Sequence, residues 1–167
     1  MTKRNSSKRH LTFEALEVRD TPSVMMGGIH TMKAPPHRPV GFSGSGSATL
    51  TGETILPNGG LQVAGSVVGQ ASLIKQFTGT IDGTFSPGFL RVTATAELQA
   101  VSNGDKVDIA LSERLMKSGK NGHFSGNFTI TGGTGRFAHA TGGGSISNVF
   151  VISSNSASIR FSGRVRL

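Results

Sequence analysis

The sequence predicts an all-β fold, an eight-stranded antiparallel β-barrel, on three observations. From Gly41 onward apolar and polar residues alternate with a period of two. Short turn-forming clusters interrupt the alternation between successive segments, and glycine recurs in the apolar phase. A period of two is what a strand with one buried face produces, because successive side chains leave opposite sides of the chain.

The first strand carries Phe42, Gly44, Gly46, Ala48 and Leu50 in one phase and Ser43, Ser45, Ser47 and Thr49 in the other. Leu61, Val63, Gly65, Val67 and Gly69 mark the second; Phe77, Gly79, Ile81, Gly83 and Phe85 the third; Leu90, Val92, Ala94, Ala96 and Leu98 the fourth. Val107, Ile109 and Leu111 begin the fifth. Phe124, Gly126, Phe128 and Ile130 define the sixth, Ile146, Phe150 and Ile152 the seventh, and Ala157, Ile159, Phe161, Gly163, Val165 and Leu167 the eighth. Turns are expected at PNGG (57–60), SPG (86–88), SNGD (102–105), SGKNG (118–122) and SSNS (153–156). Closure into a barrel, rather than a sandwich, is expected from Phe-Ser/Thr-Gly, which starts at Phe42, Phe77, Phe124 and Phe161 with Phe and Gly always in the apolar phase. Glycine there empties a crowded interior and allows strong coiling, while the phenyl ring covers the gap.

The domain organisation expected is a basic, proline-containing disordered tail over residues 1–40 and a barrel domain over 41–167. Four of the six prolines, Pro22, Pro35, Pro36 and Pro39, fall in the first forty residues, where they remove backbone donors and fix φ. The chain has no Cys, Trp or Tyr, so thiolate metal sites, disulfides and cysteine nucleophiles are excluded and the core is built from Phe and aliphatic residues. No run of apolar residues is long enough for a spanning helix. The net charge of +8 is divided evenly: seven basic and three acidic groups in residues 1–40, ten and six after them. Arg160, Arg164 and Arg166 alternate on the last strand, where they protect an edge or solvate a face, and an anionic envelope surface is the partner such charge suits. Nucleic acid is not expected, because stacking aromatics are missing from the exposed positions.

The glycine-rich stretch ITGGTGRFAHATGGG, Ile130 to Gly144, raises the question of phosphate binding. A Walker loop needs Lys and then Ser or Thr after its last glycine, but Arg136 and Phe137 stand there, and a dinucleotide fingerprint needs a third glycine and a long helix. A structural loop is expected instead: Gly132, Gly133, Gly135 and Gly142 permit unusual backbone angles, and RFAHA forms a short helical turn that tucks Phe137 under the barrel as a plug. These residues resemble the I-x-G-G-T-G-x-F-x-x-A-x-G signature of the allene oxide cyclase-like and dirigent-like β-barrels, with their small uncharacterised bacterial relatives. The specific part spans about residues 124 to 147. The resemblance implies a calycin-like barrel with a central apolar cavity that holds a substrate in shape, and it carries no catalytic residue over to this chain.

In the tail, HLTFEALEVRDTPS, His10 to Ser23, resembles the LEPR-XLL type of segment near the start of bacterial exported proteins. Leu16, Glu17 and Arg19 match, Val18 replaces the proline, and Thr21-Pro22 stands where two leucines are usual. The resemblance implies an exported or envelope-associated protein, although no signal-peptide apolar region follows.

Candidate chemistry rests on two residues. Glu113 continues the apolar phase of the fifth strand, and Asn148 sits between Ile146 and Phe150 in the seventh. Facing a cavity together, a carboxylate of raised pKa and an amide would bind, polarise or deprotonate a ligand. The competing reading is that a bulge shifts the phase and Glu113 pairs with Arg91 or Arg114 at the rim. No metal is expected, since the five histidines show no ligand spacing, and no cofactor. The function expected is non-enzymatic: a small exported barrel that binds an apolar small molecule or has a structural role, with homo-oligomerisation open. The alternative is an allene oxide cyclase-like isomerase or cyclase with Glu113 as its catalytic residue.

Overall fold

A computed structural model describes residues 38–167. The expected tail, up to residue 37, lies outside the described residues, as does the LEPR-XLL-like segment. Eight strands follow in order: β1 (Val40–Ile55), β2 (Leu61–Ala71), β3 (Lys75–Phe85), β4 (Arg91–Ala100), β5 (Lys106–Lys117), β6 (Asn121–Gly133), β7 (Thr141–Val151) and β8 (Ser156–Arg166). Each pairs antiparallel with its sequence neighbour, and β1 pairs with β8 to close the barrel. Inward positions carry the apolar phase and outward positions Ser, Thr, Gln and charged residues, as the alternation predicts. Three residues depart from their expected places. Leu90 lies before β4 and is largely exposed, Ile152 opens a 3₁₀ turn after β7, and Leu167 follows the end of β8. Each sits at a strand end, where turn geometry replaces the pleat.

Glycine–phenyl pairing closes the barrel. Gly144 on β7 and Gly163 on β8 are direct partners, and a Cβ on either would collide with the backbone of the other. Phe42 lies opposite Gly163 on one side and Phe128 opposite Gly144 on the other, so that the two rings meet edge to face at 6.2 Å over a floor of glycine. Phe161 faces Gly44 in the same way and packs 5.2 Å from Phe42. Small residues beneath large rings let a narrow barrel reach interior density without forcing its strands apart.

The two ends differ. At one end the loops after β2, β4 and β6 converge into a plug. Its 3₁₀ turn, Gly135–Phe137, buries Phe137 completely, and Ile74 from the β2–β3 turn is buried with it. Gly135 adopts φ 57°, and a Cβ there would strike the Asp105 carboxylate, so this corner requires glycine. The loop's backbone donors are used internally: Thr134 N–H to Lys106 O, Phe137 N–H to Thr134 O and Ala140 N–H to Phe137 O. Arg136 ties the three loops together, pairing with Asp105 at 3.3 Å, donating to the Leu73 carbonyl and lying 5.0 Å over the Phe137 ring. Phe137→Ala should destabilise the protein by about 3–5 kcal/mol, the range for emptying a buried phenyl site. Urea denaturation checks this, and a loss under about 1 kcal/mol would show that the plug does not hold the barrel.

Candidate functional site

Glu113 and Asn148 meet inside the barrel between its two packed halves. Toward the plug lies a cluster with Phe42, Phe77, Phe128, Ile130 and Phe137 at its centre; toward the opposite end lies a second one built on Val63, Phe85, Val92 and Phe124. Glu113 is only 2% exposed. The β5–β6 register runs unbroken from Ile109 to Leu115, with shifts only before and after it, so Glu113 keeps the inward phase. Among the described residues the ion pairs are Lys106–Glu97 and Arg136–Asp105; Glu113 pairs with neither Arg91 nor Arg114.

Its partner is Asn148, two strands away, whose side-chain nitrogen donates to Oε1 at 2.9 Å and to Oε2 at 2.8 Å. The intervening strand presents Gly126 directly opposite Glu113. With no side chain at 126 the carboxylate passes over β6 to reach β7. A Cβ there would press against the Ser112 carbonyl and the Glu113 Cα. The glycine of the third Phe-Ser/Thr-Gly therefore both coils the strand and opens the path between the two polar groups.

Two voids flank this pair, of about 50 and 60 Å³, and both are lined by Glu113 and Asn148 amid apolar side chains such as Ile81, Leu111 and Ile159. Each holds a few small atoms. Beyond the second void, Phe85, Phe124 and Phe150 narrow the barrel, with Phe85 5.8 Å from Phe124 and 6.3 Å from Phe150. The same three rings form the floor of a larger mouth of about 440 Å³, which Leu50, Leu61, Phe89 and Leu115 also line. The barrel is thus filled by phenyl rings at its plugged half and open at the other, with the polar pair beneath the ring constriction.

Burial pushes the Glu113 carboxyl up from its usual 4.5 to about 7, and the hydrogen bond from Asn148 pulls in the opposite direction without overcoming it. Near neutrality such a group both donates and accepts a proton, and both side chains line the voids. No group of three or more potential metal ligands exists among the described residues. His123 and His139 are exposed, and His10, His30 and His37 lie outside the described residues. Of the expected loop residues, Gly132 and Gly133 end β6, Gly135 and Phe137 form the plug turn, and Gly142 is the second residue of β7 beside it, all remote from Glu113 along the strands. The mouth was not anticipated from sequence, and neither was the bond between Glu113 and Asn148.

No protein-family model matches the chain, and no curated protein is significantly similar to it. Among solved structures it is similar to the pterocarpan synthase dirigent protein GePTS1, with a TM-score of 0.50 and 15% sequence identity over 81% of this chain and 88% of that one. The fold is a dirigent-like β-barrel. No helix among the described residues is long and apolar enough to cross a membrane.

The raised pKa makes stability depend on pH with a definite sign. Below about pH 4.5 Glu113 is protonated whether the chain is folded or not, so burial carries no ionisation cost. Between about 4.5 and 7 the unfolded chain releases the proton while the folded chain keeps it, so stability falls as pH rises and levels off above 7. The loss should approach about 3 kcal/mol at most. Denaturation of wild type and Glu113→Gln across this window checks it: the variant gains on wild type as pH rises, and parallel curves would place the carboxyl at an ordinary pKa.

Proposed function

We propose that the barrel binds a small, largely apolar molecule that carries one polar group, which enters through the open mouth and directs that group toward Glu113 and Asn148. The buried carboxyl carries this reading. In a barrel serving only as a scaffold, an aliphatic residue at 113 would pack the interior without the desolvation penalty that holds Glu113 near neutrality. A polar group kept at such a position gains its use from a partner that the apolar walls cannot supply. The mouth, at about 440 Å³, lies within the range of roughly 300–1,000 Å³ usual for small-molecule sites. The dirigent-like fold agrees with a protein that shapes a guest by enclosure, and the LEPR-XLL-like segment supports an exported or envelope location.

A second reading, an isomerase or cyclase acting on a hydrophobic substrate, is favoured by one observation, the Glu113 carboxyl poised to exchange a proton at neutral pH. The two separate cleanly. A carrier holds the same molecule in wild type and in Glu113→Gln, whereas an enzyme turns its substrate over in wild type and accumulates it unreacted in the variant that lacks the acid-base group.

Native mass spectrometry of the protein isolated from its own cells tests binding. A discrete additional mass is expected on wild type, and its loss is expected in Leu115→Trp, which fills the mouth. A bare chain mass for wild type, together with exclusion of hydrophobic dyes, would sink both readings and leave a structural barrel.

A further inference from the structure

We infer that the rim of the open mouth docks onto an anionic lipid bilayer, with its apolar side chains inserted and its cations on the headgroups. Four large apolar side chains stand exposed around this end: Ile55 at 80%, Met116 at 70%, Leu90 at 62% and Phe89 at 47%. They come from the end of β1, the β3–β4 connection and the end of β5, so they follow the rim through successive strands. The surface is continuous with the interior, because Phe89 packs 5.4 Å from Phe85 and both line the mouth. Phe89 also holds φ at 59° directly after Gly88 at 73°. A bulky residue in the left-handed region costs about 1–3 kcal/mol, and the ring held there remains half exposed beside the mouth.

Charge identifies the occupant. Arg91 and Arg114 face each other across β4 and β5, and Lys117 and Lys120 flank the β5–β6 turn; all four are exposed. None of them is in an ion pair among the described residues. Like charges placed opposite one another on a sheet oppose folding, and a negatively charged surface relieves them. The acidic groups near this end are Glu53 on the rim, Asp82 three residues down β3 and the buried Glu113 beneath the mouth, while Glu97, Asp105 and Asp108 lie toward the plug. Apolar side chains interleaved with unpaired lysine and arginine form the pattern of an interfacial anchor. The exposed apolar residues toward the plugged end, Val40, Val68, Val101 and Leu167, are smaller or scattered, and none lines the mouth.

Docking rests on the rim alone. That the docked mouth receives its guest from the bilayer rests on the binding reading above.

Co-flotation of the protein with vesicles tests the inference. Wild type should float with phosphatidylcholine vesicles containing phosphatidylglycerol, fail to float with phosphatidylcholine alone, and release as salt rises. Lys117→Glu with Lys120→Glu should weaken binding by at least about five-fold per position, the factor expected for each interfacial cation. Leu90→Ser with Met116→Ser should weaken it at low salt too, and these exposed positions leave the core intact. Arg164→Glu with Arg166→Glu, at the plugged end, should leave flotation unchanged. Equal loss in that last pair would overturn the inference in favour of diffuse attraction by net charge. Self-association in sedimentation that Leu90→Ser with Met116→Ser abolishes, without flotation, would make the rim a contact between copies and overturn it as well. Leu115→Trp should still float, so a failed binding reading leaves docking standing; wild type that carries a guest but does not float overturns docking alone.

Discussion

Everything in this barrel depends on how closely its strands approach at the inward-facing glycines. Eight strands enclose little space, and at Gly79, Gly126, Gly144 and Gly163 a single Cβ would collide with the backbone of the neighbouring strand. The sheet coils tightly there because nothing stands in the way. Phenyl rings from adjacent strands then occupy the volume that the glycines leave, as Phe42 and Phe128 do above Gly144 and Gly163. Position of the glycine matters as much as its presence. At Gly126 it both admits the curvature and leaves the gap through which Glu113 reaches Asn148.

That reach sets the interior's electrostatics. A carboxyl surrounded by Ile81, Leu111 and Ile159, with one amide to bind it, cannot hold its charge as cheaply as in water, and its pKa rises accordingly. The Asn148 amide satisfies both oxygens without neutralising either. The result is a polar centre whose proton is loosely committed, placed where the phenyl-filled half of the barrel gives way to the open half. The stability of the barrel and the protonation of its interior are therefore set by the same residue.

Much of this architecture was legible in the sequence because the pleat has a fixed period. The alternation located eight strands, the apolar phase of β5 pointed Glu113 inward, and GTGRF marked the plug turn that buries Phe137. The Glu113–Asn148 bond was less accessible, because it depends on register across β5, β6 and β7 and on the empty position at Gly126, quantities set by pairing rather than by local pattern. Ile74, Phe89 and Leu90 escaped for a different reason. They occupy turns, where no period tells inside from outside, so Ile74 is fully buried and Leu90 exposed with nothing in their neighbours to separate them. The mouth was hidden for the same reason, since its walls combine strand ends with the loops between them.

The barrel's two ends also divide its capacity to change. The plug is interlocked: Arg136 alone engages three loops, so an insertion in any of them disturbs the others. The opposite end carries four hairpin connections, after β1, β3, β5 and β7, with lighter cross-ties: the Asn155 carbonyl accepts from Leu50 N–H of β1, and the Leu90 carbonyl from Leu115 N–H of β5. Loops of that kind vary in length and chemistry more freely than the plug, because each closes a local ladder and long surface insertions carry only a small entropic cost. A lineage of such barrels can thus diversify at its entrance while inheriting its base unchanged, and comparing sequence drift at the two poles would read out which of them selection has been shaping.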